Sequence, residues 1–248
     1  MKANWVKVLR IIGLSFTLVF TLVLVVSAIQ ADSKKTCKGI DVIFTNDDIS
    51  AFLNRASIDS ILNKNFYNRI IGQTFENIDK QAIEAVISNN PYVEEVEVFS
   101  NRYGKLVLKI EQKKPLLRII NTLGVHYYLT KSGDTIPHSI KFTPRVLVAA
   151  GNINKKNTES LIQFATFIER DSFWNACTEH VYVNDDNTIE LFSRLGDQNI
   201  ILGKLEENPF EKLDNLLIFY RETFGKVDWN QYKSFNLNYK DQVVCIKI

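Results

Sequence analysis

Glycine and proline are scarce in this 248-residue chain, ten and five respectively, and no two glycines lie closer than seven positions apart. That spacing excludes a P-loop and a dinucleotide fingerprint, both of which crowd glycines so that backbone N–H groups can cradle phosphate. Cysteine is as sparse: Cys37, Cys177 and Cys245 are too few, and odd in number, for a disulfide framework. The three histidines, His126, His138 and His180, have no His, Cys or acidic neighbour at zinc-site spacing. They read as packed or surface side chains, and neither a metal nor a cofactor is expected. Charge of one sign is missing too, since 30 Lys and Arg face 28 Asp and Glu for a net of +2. Without a dominant basic patch, nucleic acid is not an expected partner.

Residues 1–40 nevertheless hold six of the basic residues and a single acid, Asp32, leaving the remainder of the chain near −3. The asymmetry brackets the longest feature present, an uncharged run from Ile11 to Ala31. At about 1.5 Å per residue it reaches roughly 30 Å, the thickness of a bilayer's hydrocarbon core. A cleaved secretory signal ending at Ala28 is the main competitor, but its apolar core would span only about 7 to 15 residues. A helix buried in a soluble core would carry its apolar residues as a stripe, whereas here they surround the axis. The run therefore predicts a transmembrane helix over 11–31, with 1–10 as a cytoplasmic tail. Flanking charges tie, Lys2, Lys7 and Arg10 against Lys34, Lys35 and Lys38, so orientation comes from the large following domain, which translocates largely regardless of its charge. The juxtamembrane lysines read as headgroup contacts. Charged residues 32–36 argue against lipidation of Cys37.

Beyond the membrane, 46% hydrophobic and 11% aromatic residues suffice for a folded core. A short strand is expected at 40–44 and one or two helical turns at 49–62. Asp79 should cap a helix with Ala82, Ile83, Val86 and Ile87 on one face. Alternation predicts a hairpin of 93–99 and 106–110 turned at Asn101-Arg102-Tyr103-Gly104, and Lys113-Lys114-Pro115 marks a boundary between two modules. In the second module strands are expected at 116–120, 125–130, 146–150, 181–183, 188–192, 199–202, 235–239 and 243–248. One helix is expected over 158–176, and another from Asn208-Pro209 with Phe210, Leu213, Leu217, Tyr220 and Phe224 inward. The fold class is α+β: a transmembrane helix, a small module at 38–115, and a β-rich module with two helices at 116–248.

Catalytic groups are not found. Lys131-Ser132-Gly133 looks like one motif of penicillin-binding enzymes, yet no Ser in the chain has a Lys three positions later, so the tripeptide reads as a hairpin turn. Asp185-Asp186, between Asn184 and Asn187, reads as a solvated turn rather than paired catalytic carboxylates. No small-molecule substrate is expected, and the chain is not expected to be an enzyme.

The helix before Asn90-Pro91-Tyr92-Val93, the Val96 and Val98 strand, the turn, the Leu106 strand and the closing Pro115 together resemble the POTRA domain of the FtsQ/DivIB bacterial cell-division family. The likeness extends through Tyr128-Leu129 to Gly133-Asp134, Pro144 to Gly151 and Leu237-Asn238-Tyr239, with wording similar to versions from Bacteroidota. Two positions depart: Tyr103-Gly104 stands where the family has Trp-Pro, and Gln112, beside Glu111, where it has Glu. The resemblance implies a POTRA domain at 38–115 and a non-enzymatic divisome scaffold. It would sit in the inner membrane with its bulk in the periplasm, binding FtsB-like and FtsL-like partners at the septum, and the bilayer through 11–31. An adaptor in envelope protein assembly and a cell-wall enzyme are the alternatives.

The expected partner site is the last strand. Val244, Ile246 and Ile248 would occupy one face and Val243 and Cys245 the other, with Lys247 as the one charge that guards the edge, and Phe235, Leu237 and Tyr239 on the adjacent strand supporting the surface. The bland alternative is an internal strand paired on both sides.

Overall fold

The computed structural model describes residues 5, 13–24, 34–45, 52–66, 69–205, 207–223 and 225–248. The expected tail, apart from Trp5, both ends of the expected span and Phe224 lie outside the described residues. Residues 13–24 are helical (α1), and Leu14, Phe16, Leu18, Val19, Phe20, Leu22, Val23 and Leu24 are all exposed. Among the described residues, no helix is long and apolar enough to cross a membrane.

The chain forms two compact units, 1–45 with 53–112, and 46–52 with 113–248. The first contains β1 (Gly39–Phe44), α2 (Arg55–Phe66), α3 (Lys80–Ser88), β2 (Val93–Ser100) and β3 (Lys105–Gln112). The expected hairpin forms with Val98 opposite Leu108 and Val96 opposite Ile110. The sheet order is β1-β3-β2, with β1 parallel to β3, so the first strand reaches past the hairpin's sequence to its far side. Asp79 caps α3 as its position predicts, its Oδ1 accepting from the Ala82 N–H at 2.9 Å, and Ile83 and Ile87 face inward. The core joins them to Ile58, Leu62, Leu106, Leu108 and Ile110. The helix expected at 49–62 lies later, because Asn54 takes the cap: its Oδ1 accepts from the Ser57 N–H at 2.9 Å.

The second unit builds one nine-stranded sheet from β4 (Leu117–Asn121), β5 (His126–Leu129), β6 (Thr135–Pro137), β7 (Leu147–Gly151), β8 (Thr178–Val183), β9 (Thr188–Ser193), β10 (Asn199–Lys204), β11 (Tyr232–Asn236) and β12 (Val244–Lys247). Their order is β12-β11-β10-β9-β8-β7-β4-β5-β6. Parallel neighbours β7 and β8 are joined through α4 (Thr158–Arg170) and α5 (Ser172–Cys177); parallel β10 and β11 are joined through α6 (Pro209–Thr223). Helix residues Leu161, Phe164, Ile168, Leu213, Leu216 and Tyr220 bury Leu117, Ile119, Val181, Leu191, Ile200 and Phe235 on one sheet face.

Three expectations are corrected here. The unit has three helices rather than two, because Asp171 leaves α4 in an extended conformation (φ −88°, ψ 115°) and its Oδ1 accepts the Trp174 N–H, capping α5. The helix α6 turns Leu216 inward, with Leu217 only half-buried. The strand expected at 235–239 lies at Tyr232–Asn236, where the Asn236 Oδ1 accepts from the Asn238 N–H and turns the chain away.

Candidate functional site

The candidate site is the end of the nine-stranded sheet at β12. Asp228 starts it: its Oδ1 accepts the Asn230 N–H, forming a short 3₁₀ turn at Trp229–Gln231 that delivers the chain straight into β11. The Leu237 N–H donates to the Ile201 carbonyl at 2.9 Å, and Asn236 lies opposite Ile201, so Phe235 and Leu237 point their main-chain groups at β10. By alternation, Ser234 and Asn236 bond to β12, pairing with Ile246 and Val244. Val244 and Ile246 therefore spend their N–H and C=O groups on β11, as Ile248 does by donating to the Gln231 carbonyl at 3.1 Å. Cys245 and Lys247 direct theirs outward.

The side chains divide accordingly. Val243 and Cys245 pack against the core, whereas Val244 is 36% exposed, Ile246 40% and Ile248 89%. Phe235 and Leu237 are buried beneath the edge rather than forming its surface. Tyr239, 56% exposed, stands in the turn before β12, where Asp241 adopts φ 55°. The structure thus brings Val243 to Ile248 together as an edge strand and separates Tyr239 from it. Sequence reasoning missed Ser234 and Asn236, whose main-chain groups pair β11 with β12. The turn also walls a polar cleft of about 270 Å³ with Glu207, Glu211, Lys212 and Asp241, in which the Lys212 Nζ donates to the Leu202 carbonyl at 2.8 Å.

The other sheet edges differ from this one. On β2, the outward Val98 N–H donates to Glu84 Oε1 at 2.7 Å. On β1, Arg55 Nη2 donates to the outward Ile40 carbonyl at 2.7 Å. The far edge of the long sheet, β6, has three residues and ends in Pro137, which offers no N–H. Among the described residues, no side chain caps the outward groups of Cys245 or Lys247.

The chemical candidates set aside in the sequence occupy ordinary positions. Ser132 lies in the β5–β6 turn, its hydroxyl donating to Asp134 Oδ2 at 2.7 Å, while Lys131 pairs with Glu169. Asp186 lies in the β8–β9 turn, and hydrogen bonds from the Thr188 hydroxyl and N–H hold its carboxyl below the usual range. His180 stacks on Phe192 at 4.4 Å, and His138 stacks on Tyr128. Among the described residues no cluster of His, Cys, Asp and Glu could hold a metal ion. All three cysteines are free thiols, and burial raises the pKa of Cys177 and Cys245.

Compared with known families, residues 114–246 match the family described as FtsQ/DivIB, C-terminal related, and residues 35–111 match the POTRA-like domain. No curated protein matches the chain.

Proposed function

We propose, because the chain belongs to the FtsQ/DivIB C-terminal-related family and carries a POTRA-like domain ahead of the family region, that it is a non-enzymatic scaffold of the bacterial division machinery. On this reading it takes a strand of an FtsB-like or FtsL-like partner onto β12. The carrying observation is the contrast among sheet edges: three are capped or proline-blocked, and β12 presents free main-chain groups beside an apolar Val244, Ile246 and Ile248 face. Residues 11–31 anchor the chain in the inner membrane, with the amino end cytoplasmic and the bulk at the septal periplasm. Support comes from α1, apolar and exposed all round, where the Thr17 and Thr21 hydroxyls turn back onto the Leu14 and Leu18 carbonyls instead of seeking water.

The register designs the test. Cys245→Pro and Lys247→Pro each remove an outward donor, and Val244→Pro removes an inward one. Affinity for the FtsB-like and FtsL-like proteins in co-purification should fall about two- to tenfold for each of the first two variants, each lost bond contributing roughly 0.5–1.5 kcal/mol. Circular dichroism should stay unchanged. Full partner capture by both folded outward variants would refute strand addition.

A further inference from the structure

We infer that the β2–β3 turn of the first unit docks on the headgroups of an anionic bilayer, with Arg102 and Tyr103 at its tip and Lys38 lying across it. The inference rests on the proposed anchor, which delivers Lys34 to Lys38 to the membrane surface.

Distant positions in sequence meet here. The Lys38 N–H donates to the Gly104 carbonyl at 2.7 Å. Its side chain lies across the turn, with Cδ 3.5 Å from the point a Cβ on Gly104 would occupy. The tip is itself ordered, since the Asn101 Oδ1 accepts from the Tyr103 and Lys105 N–H groups at 3.0 Å. The Arg102 guanidinium lies 4.9 Å from the centre of the Tyr103 ring and donates to its hydroxyl at 2.7 Å. Tyr103 is 65% exposed, an amphipathic ring of the kind that settles at a membrane–water interface.

Charge sorts along the strands. Lys34, Lys38 and Arg102 have no carboxylate within 4.0 Å among the described residues, while Lys105 pairs with Asp41 at 3.0 Å. Lys80 adds a cation beside Ser100 at 3.3 Å. Asp79 and Glu76, adjacent to and four residues from Lys80 in sequence, set two carboxylates against these cations. The opposite end of the sheet gathers Glu95, Glu97 and Glu111 around Lys109. An anionic surface attracts the first end and repels the second, so both ends favour the same orientation. Each basic residue near such a surface contributes on the order of fivefold in partition.

The full chain should be reconstituted into vesicles of phosphatidylcholine alone or mixed with phosphatidylglycerol, and amide exchange at 34–38 and 101–105 read by mass spectrometry. Slowing of roughly tenfold or more is expected on the anionic vesicles only. It should vanish at about 1 M salt, where screening reaches within about 3 Å, and in the Lys38→Glu, Arg102→Glu double variant, while β3 core amides report that the variant is folded. Equal exchange on both vesicles overturns the inference and leaves the anchor standing if the chain still floats with neutral vesicles. A chain that floats only with anionic vesicles, and only without the double substitution, overturns the anchor and keeps the docking tip.

Discussion

Gln112 holds the backbone of Leu53 at two points, its Oε1 accepting the Leu53 N–H at 2.9 Å and its Nε2 donating to the Leu53 carbonyl at 3.2 Å. The pair is buried, Gln112 being 3% exposed and Leu53 6%. An amide both donates and accepts, whereas an ionised carboxylate only accepts. Gln112 therefore matches both main-chain groups of Leu53, which an ionised carboxylate in its place would not.

Gln112→Glu should lower stability by about 1–3 kcal/mol at neutral pH, by removing a donor and burying a charge. Burial would raise the folded pKa of the new carboxyl, so the penalty should be absent below the unfolded value of about 4.3 and grow as pH rises through it. Urea unfolding at about pH 4 and about pH 7 measures this; an equal loss at both would contradict it.

Glu84→Ala should uncover the β2 edge by leaving the Val98 N–H without its acceptor. A loss of about 1–2 kcal/mol and concentration-dependent self-association are expected. Thermal unfolding and sedimentation read the two effects, and an unchanged midpoint with a monodisperse monomer would mean that the cap does nothing.

How much of this was legible depended on sequence separation. The β2–β3 hairpin and the Asp79 cap could be read directly, because alternation and capping act over a few residues. That β1 pairs in parallel with β3, or that β4 lies beside β7, leaves no local pattern: such pairs are selected by which apolar faces fit after the chain has collapsed. Asp171 carried a usable signal, an N-cap residue type before Ser172-Phe173-Trp174, but the apolar spacing of Leu161 to Ile168 masked the break. At the candidate site, the presence of a last strand was readable from its apolar residues, but its place at the end of the sheet was not, since an internal strand carries the same pattern. Its register was not readable either, because Phe235, Leu237 and Tyr239 alternate just as a strand would, while the Asn236 side chain ends it.

Tyr220, 6% exposed and packed against Trp229 and Phe235, has its phenol pKa raised first by burial, then by the proximity of Cys177 and Cys245. A raised folded pKa means that the stability held below the unfolded value of about 10 is lost as pH rises above it. Phenolate absorbance and circular dichroism should show alkaline unfolding, and Tyr220→Phe should move that transition to higher pH. A transition that stays in place would clear Tyr220 of responsibility.

Gly151→Ala should be severe, since φ is 101° and an added Cβ would lie 2.2 Å from the Val183 carbonyl oxygen of the neighbouring strand. A loss of at least about 2 kcal/mol is expected. Denaturant unfolding tests it, and a near-neutral result would show that β7 and β8 can separate without penalty.

The parallel pairing of β1 with β3 also decides how the first unit answers to force. A pull between residues 34–38 and Gln112 drags β1 toward its amino end and β3 toward its carboxyl end, in opposite directions along neighbouring strands. The ladder from Gly39 to Phe44 is then loaded in shear, so its bonds share the tension and must break together, whereas an antiparallel arrangement would be peeled one bond at a time. Tension applied between residues 34–38 and Gln112 would therefore meet this unit in its mechanically strong direction.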